Sequence, residues 1–116
     1  MKNVLSTIPK SRYYSWNDCQ ADLESCDGDE GGFWLINVAR KPLHADIGSL
    51  CYMIFDGQIR GYMDVVDAGL TESFRNVHRI GKKRNTYSLV MANWHPIDKV
   101  IYKKGFQGYR YTELRP

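Results

Sequence analysis

A chain of 116 residues has room for one domain and one hydrophobic core. Its 43% hydrophobic content, with eight Tyr and three Trp, argues against disorder, and no apolar run reaches the length needed to cross a bilayer. The net charge of +3 conceals an asymmetry: residues 1–30 carry three basic and six acidic side chains, residues 31–116 thirteen and seven. The body is therefore basic, which favours polyanionic partners.

The opening stretch MKNVLSTIPKSRYY lacks the apolar centre of a signal peptide. Cys19, Cys26 and Cys51 form no CxxC pair, so reduced thiols in a cytoplasmic protein are expected. Residues 1–14 read as an irregular arm or a short edge strand, broken at Pro9. Ser15 or Asn17 caps a helix on which Trp16, Cys19, Leu23 and Cys26 share one stripe at about 100° per residue. That stripe suits packing on a sheet, and Gly28 with Gly31-Gly32 ends the element. Asp18, Asp22, Glu24, Asp27, Asp29 and Glu30 make the opposite face and exit acidic. Residues 1–31 are thus an arm and an acidic amphipathic helix, ahead of a β core over residues 32–116.

Phe33 to Ala39 alternates as a strand, with Trp34, Ile36 and Val38 directed to the core, and Pro42 cannot extend it. After Gly48, Leu50 to Phe55 is apolar at every position. Asp56-Gly57 then supplies the positive φ angles of a two-residue hairpin turn. Beyond it, Ile59, Met63 and Val65 alternate with Arg60, Tyr62 and Asp64, a strand with one wet face. Gly61 inside that strand marks a bulge or a close backbone approach. From Asp67 to Arg84 strand periodicity is absent, and Thr71 caps a short helix with Phe74, Val77 and His78 on one face. The segment that follows places Arg75, Arg79, Lys82, Lys83 and Arg84 within ten residues. Thr86 to Ala92 is a strand, Asn93-Trp94-His95-Pro96 a turn, and Val100–Tyr102 and Tyr109–Leu114 the last two strands.

A glycine, a short apolar strand, a tight turn and a second strand with an internal glycine form a recognisable pattern. Here these are Gly48, CYMIF (51–55), Asp56-Gly57 and IRGYMDVV (59–66). The pattern resembles the core hairpin of the PUA-like superfamily, which includes the PUA, ASCH, EVE and YTH domains. The aromatic first strand GFWLINVA is similar to the strand that opens many EVE-like domains. The resemblance covers roughly residues 33–115. It implies a small β-barrel whose mouth binds RNA or a modified base, in some relatives within an aromatic cage. Some ASCH relatives are nucleoside amidohydrolases, but their GxKxxExR signature is absent from this sequence.

The expected fold is α+β and mainly β: a small PUA-like bent sheet or β-barrel of about six strands with one or two short helices. The expected function is recognition of RNA, or of a modified or unpaired base, without catalysis or cofactor. Nucleic-acid binding needs cations for phosphates and flat rings on which bases stack. Arg79, Lys82, Lys83, Arg84 and Arg110 supply the first; Trp94, His95 and Tyr109 supply the second. His44, His78 and His95 have no Cys or carboxylate at metal-ligand spacing, so no metal is expected. Asp64 and Asp67 read as strand-end charges rather than an acid–base pair, and GFQG matches no phosphate-loop spacing. Two alternatives stand beside this reading. One is a protein-binding inhibitor of phage or mobile-element origin, acting through Asp22, Glu24 and Asp29 or an aromatic surface. The other is an ASCH-type amidohydrolase.

Overall fold

The computed structural model describes residues 1–29, 32–74 and 86–116. Its strands are β1 (Asn3–Thr7), β2 (Trp34–Val38), β3 (Leu50–Phe55), β4 (Gln58–Leu70), β5 (Tyr87–Tyr102) and β6 (Tyr109–Thr112). Among the described residues they form a single six-stranded sheet in the order β2-β5-β4-β3-β1-β6. Each neighbouring pair is antiparallel except β1 and β3, which run parallel. One helix, α1 (Trp16–Glu24), packs on the sheet. The expected class, a small, mainly β, α+β fold, is the one observed.

The sheet is a curled half-barrel because one core gathers side chains from all six strands. Val4, Trp34, Met53, Met63, Leu89 and Tyr109 represent β1 to β6 in it, one strand each. Helix α1 closes this inner face. The Oγ of Ser15 accepts the Asp18 amide at 3.2 Å, the capping bond that starts the helix. Cys19, Leu23 and Cys26 are buried against the sheet, as their stripe predicts. On the outer face Leu5, Tyr52, Ile54 and Ile59 make a second, smaller core, flanked by Leu50, Tyr62, Ile97, Ile101, Phe106 and Leu114. Buried polar groups pair with one another: the Thr71 hydroxyl meets those of Thr86 at 2.8 Å and Ser88 at 2.7 Å.

The central hairpin turns on Asp56 (φ 51°) and Gly57 (φ 74°), both left-handed as the dipeptide predicts. Its register slips once. Met53 pairs with Gly61 and Ile54 with Ile59, so Arg60 is an extra residue on β4. The bulge breaks the expected alternation. Ile59 faces outward with Ile54, while Arg60 turns inward, 4.8 Å from the Trp16 ring centroid. The Arg60 Nε also donates to the Phe55 carbonyl at 3.1 Å.

Three expectations need correction. Residues 3–7 are no irregular arm or edge strand: β1 lies inside the sheet between β3 and β6, with Val4 fully buried. Asn93 to Pro96 is no turn, and the strands on either side of it are one. β5 runs through 16 residues, with Asn93 (φ 63°) at a bulge where two β5 residues oppose Met63. Pairing with β5 also carries β4 to Leu70, past the loss of periodicity, before a 3-10 turn at Thr71–Phe74.

Candidate functional site

Side chains alternate across a strand, so a transverse row of paired residues stands on one face of the sheet. Such a row crosses the outer face. His95 on β5 pairs with Tyr62 on β4, Tyr62 with Tyr52 on β3, Tyr52 with Leu5 on β1, and Leu5 with Arg110 on β6. At about 4.8 Å per strand the row spans roughly 19 Å.

At one end the rings of Tyr62 and His95 stack, with centroids 4.7 Å apart and planes at 20°. Tyr62 also lies 5.3 Å from Tyr52. The imidazole is oriented from its other side: His95 Nε2 is 3.5 Å from Asp64 Oδ1, and Asn93 Nδ2 donates to Asp64 Oδ2 at 3.2 Å. Both rings are partly open to solvent. At the far end the Arg110 guanidinium stacks 4.3 Å above the Phe106 ring, with its charge exposed.

Beside the aromatic end lies a groove of about 360 Å³, walled by Tyr62, Pro96, Ile97, Ile101 and Leu114, with Tyr52 lining it. Lys99 and Arg115 stand on its rim together with Asp98. The backbone segment that carries Leu114 is held by Asn3, whose Nδ2 donates to the Leu114 carbonyl at 3.0 Å. This wall of the groove thus depends on β1.

The bulge at Asn93 separates two predicted neighbours. His95 faces outward, but Trp94 faces inward against the core and the helix, 5.9 Å from Trp16 in an edge-to-face contact. Its Nε1 is buried with no hydrogen-bond partner. Tyr109 and Arg110 divide in the same way. Tyr109 packs on the inner core beside Tyr111 at 5.5 Å, and burial is the main reason its pKa rises to about 12. Two predicted residues, His95 and Arg110, therefore share the outer row, and two, Trp94 and Tyr109, belong to the interior. Arg79, Lys82, Lys83 and Arg84 lie outside the described residues.

Asp22, Glu24 and Asp29 are exposed on and after α1. Asp22 Oδ2 accepts the Tyr13 hydroxyl at 2.8 Å, so part of that acidic face serves to hold the chain ahead of the helix. Asp64 is occupied by His95 and Asn93, and Asp67 accepts the Ala68 amide at 2.9 Å. Among the described residues no group of three His, Cys, Asp or Glu side chains converges as a metal site would require. Likewise, no helix is long and apolar enough to cross a membrane.

Sequence reasoning missed Tyr52, Tyr62, Lys99 and Arg115. Tyr62 carried a signal, as the aromatic residue on the wet side of an alternating strand. Tyr52 carried none, because its neighbours in the apolar run Leu50–Phe55 do not distinguish one face from the other. No family model, no curated protein and no solved structure matches this chain.

Proposed function

We propose that the protein binds single-stranded nucleic acid across the outer face of its sheet, as a recognition module without chemistry. One observation carries this reading: the stacked Tyr62–His95 pair heads a transverse row that ends in Arg110 and flanks a groove rimmed by Lys99 and Arg115. Partly exposed rings on a rigid sheet offer bases a stacking surface worth about 1–3 kcal/mol per base. Arg110 at the end of the row, with Lys99 and Arg115 beside the groove, supplies cations to neutralise phosphates. The C-terminal stretch supports the charge side of the argument. Lys99, Lys103, Lys104, Arg110 and Arg115 outnumber Asp98 and Glu113 over residues 98–116. Arg79, Lys82, Lys83 and Arg84 join the proposal on their charge alone. The resemblance of the Gly48–Val66 hairpin to the PUA-like superfamily points to the same ligand class.

The test is fluorescence anisotropy of labelled single-stranded RNA, single-stranded DNA and duplex DNA at two salt concentrations. The expected result is micromolar or tighter binding to the single strands, weakening steeply with salt, and reduced in Tyr62→Ala. Absence of binding to all three at low salt overturns the reading. The exposed acidic residues Asp22, Glu24 and Asp29 would then be the surface to pursue, with a basic protein partner.

A further inference from the structure

The groove beside the aromatic pair contains a hydrogen-bonding group without a partner. Tyr52 is only 2% exposed, and its hydroxyl is buried with nothing bonded to it. Buried polar groups are hydrogen-bonded as a rule, so an orphan hydroxyl on a side chain that lines a groove marks a place where a ligand atom can complete the structure. Around it the groove walls are mostly apolar, formed by Tyr62, Pro96, Ile97, Ile101 and Leu114, two of them rings. Its volume of about 360 Å³ lies at the small end of the range for ligand pockets. A planar, mostly apolar group with one polar edge fits that description, and the cations Lys99 and Arg115 sit where such a group would join a charged backbone.

This inference rests on the single-strand reading above and deepens it. We propose that the groove receives one keto base of the bound strand, with the Tyr52 hydroxyl donating to an exocyclic carbonyl oxygen. A phenol is a better donor than acceptor, because its oxygen lone pair is delocalised into the ring. Burial, and the Tyr62 hydroxyl nearby, raise the Tyr52 pKa, so the group keeps its proton throughout the neutral range. Uracil, thymine, cytosine and guanine each present a carbonyl at the base edge. Adenine presents none. The groove therefore discriminates against adenine, and the rest of the row is indifferent to base identity because every base has a π-face.

Anisotropy titrations of the full chain with labelled oligo-U and oligo-A at low salt test this directly. Free oligo-A is stacked on itself and pays to unstack, so a preference for oligo-U has a second source, and its loss in a variant lacking the hydroxyl is the deciding observation. The expected result is oligo-U tighter by about fivefold, the size of one net hydrogen bond. Tyr52→Phe should abolish that preference while leaving oligo-A affinity within about twofold. The variant removes a hydroxyl that makes no bond in the free protein, so its melting temperature should not fall. Equal affinities in the wild-type protein, or a preference that survives Tyr52→Phe, overturn the keto-base assignment and leave the stacking platform standing. Binding of neither oligomer overturns both. If the variant misfolds, oligo-inosine decides: a purine with a carbonyl where adenine has an amino group should bind the wild-type protein tighter than oligo-A, and equal affinities overturn the assignment.

Discussion

Gly61 and Trp94 face each other across β4 and β5 with no room between them for a methyl group. A Cβ built on Gly61 would lie 2.7 Å from Cη2 of the indole and in conflict with the His95 carbonyl. The glycine at the bulge thus lets the Trp94 ring lie flat beneath the sheet, where Trp16 and Arg60 complete an aromatic layer against Phe55. Overpacking at such a contact costs about 1–3 kcal/mol. Gly61→Ala should fall at the upper end, because one of the opposing atoms is backbone and cannot swing away. Urea denaturation checks it through a lowered midpoint at unchanged slope.

Trp94 packs half-buried against the inner core, and its substitutions should act on stability as core substitutions do. Trp94→Ala is expected to cost about 3–5 kcal/mol of stability. Trp94→Phe should cost much less, since it keeps a ring beside Trp16 and removes an indole N–H that is buried without a partner. If Trp94→Ala instead left the melting temperature unchanged and weakened nucleic-acid binding, the assignment of the site to the outer face would be wrong.

On the outer face the balance reverses. Tyr62→Ala and His95→Ala each remove a partly exposed ring, and each should lower single-strand affinity by about 5- to 150-fold, the equivalent of about 1–3 kcal/mol per stacked base. Stability should shift less than in the Trp94 variant, which thermal melts compare. Lys99→Glu with Arg115→Glu should weaken binding to all sequences alike and flatten the slope of log affinity against log salt.

Two buried thiols and the half-buried Tyr109 report on the core through pH. Burial lifts the Cys51 thiol to about 12, the Cys19 thiol to about 11 and the Tyr109 hydroxyl to about 12. Each folded value lies above the unfolded one, so the native state binds its proton more tightly. The stability these groups contribute is complete below the unfolded values near 9 to 10 and is lost as pH climbs through the folded ones. Equilibrium unfolding should therefore show a flat plateau at neutral pH and a steep decline between about pH 9 and 12. All three cysteines are free and buried. A thiol reagent at pH 8 should react slowly with the native protein and rapidly, at three equivalents, in denaturant.

How much of this was legible in the sequence depends on how local each feature is. The Asp56-Gly57 turn, the α1 stripe of Cys19, Leu23 and Cys26, and the Trp34–Ile36–Val38 face are set by residues within a few positions of one another. Period and turn chemistry therefore suffice to read them. Gly61 announced a close approach, although the residue that approaches, Trp94, is more than thirty positions away. His95 and Arg110 were identifiable as candidates by residue type alone. Their membership of one row was not.

Pairing and register decided the remainder. Because successive side chains point to opposite faces, one extra residue at Asn93 sends Trp94 into the core and His95 to the surface. The extra residue at Arg60 does the same to the wet face predicted for β4. Nothing in NVLST predicts that β1 runs parallel to β3 and links it to β6 in a row extending from His95 to Arg110. The sequence alone determined a small, mainly β domain with a basic body, an acidic helix and abundant aromatic residues. Which of those aromatics meet solvent was decided only when the strands paired, since a bulge acts on a face and a face exists only within a sheet.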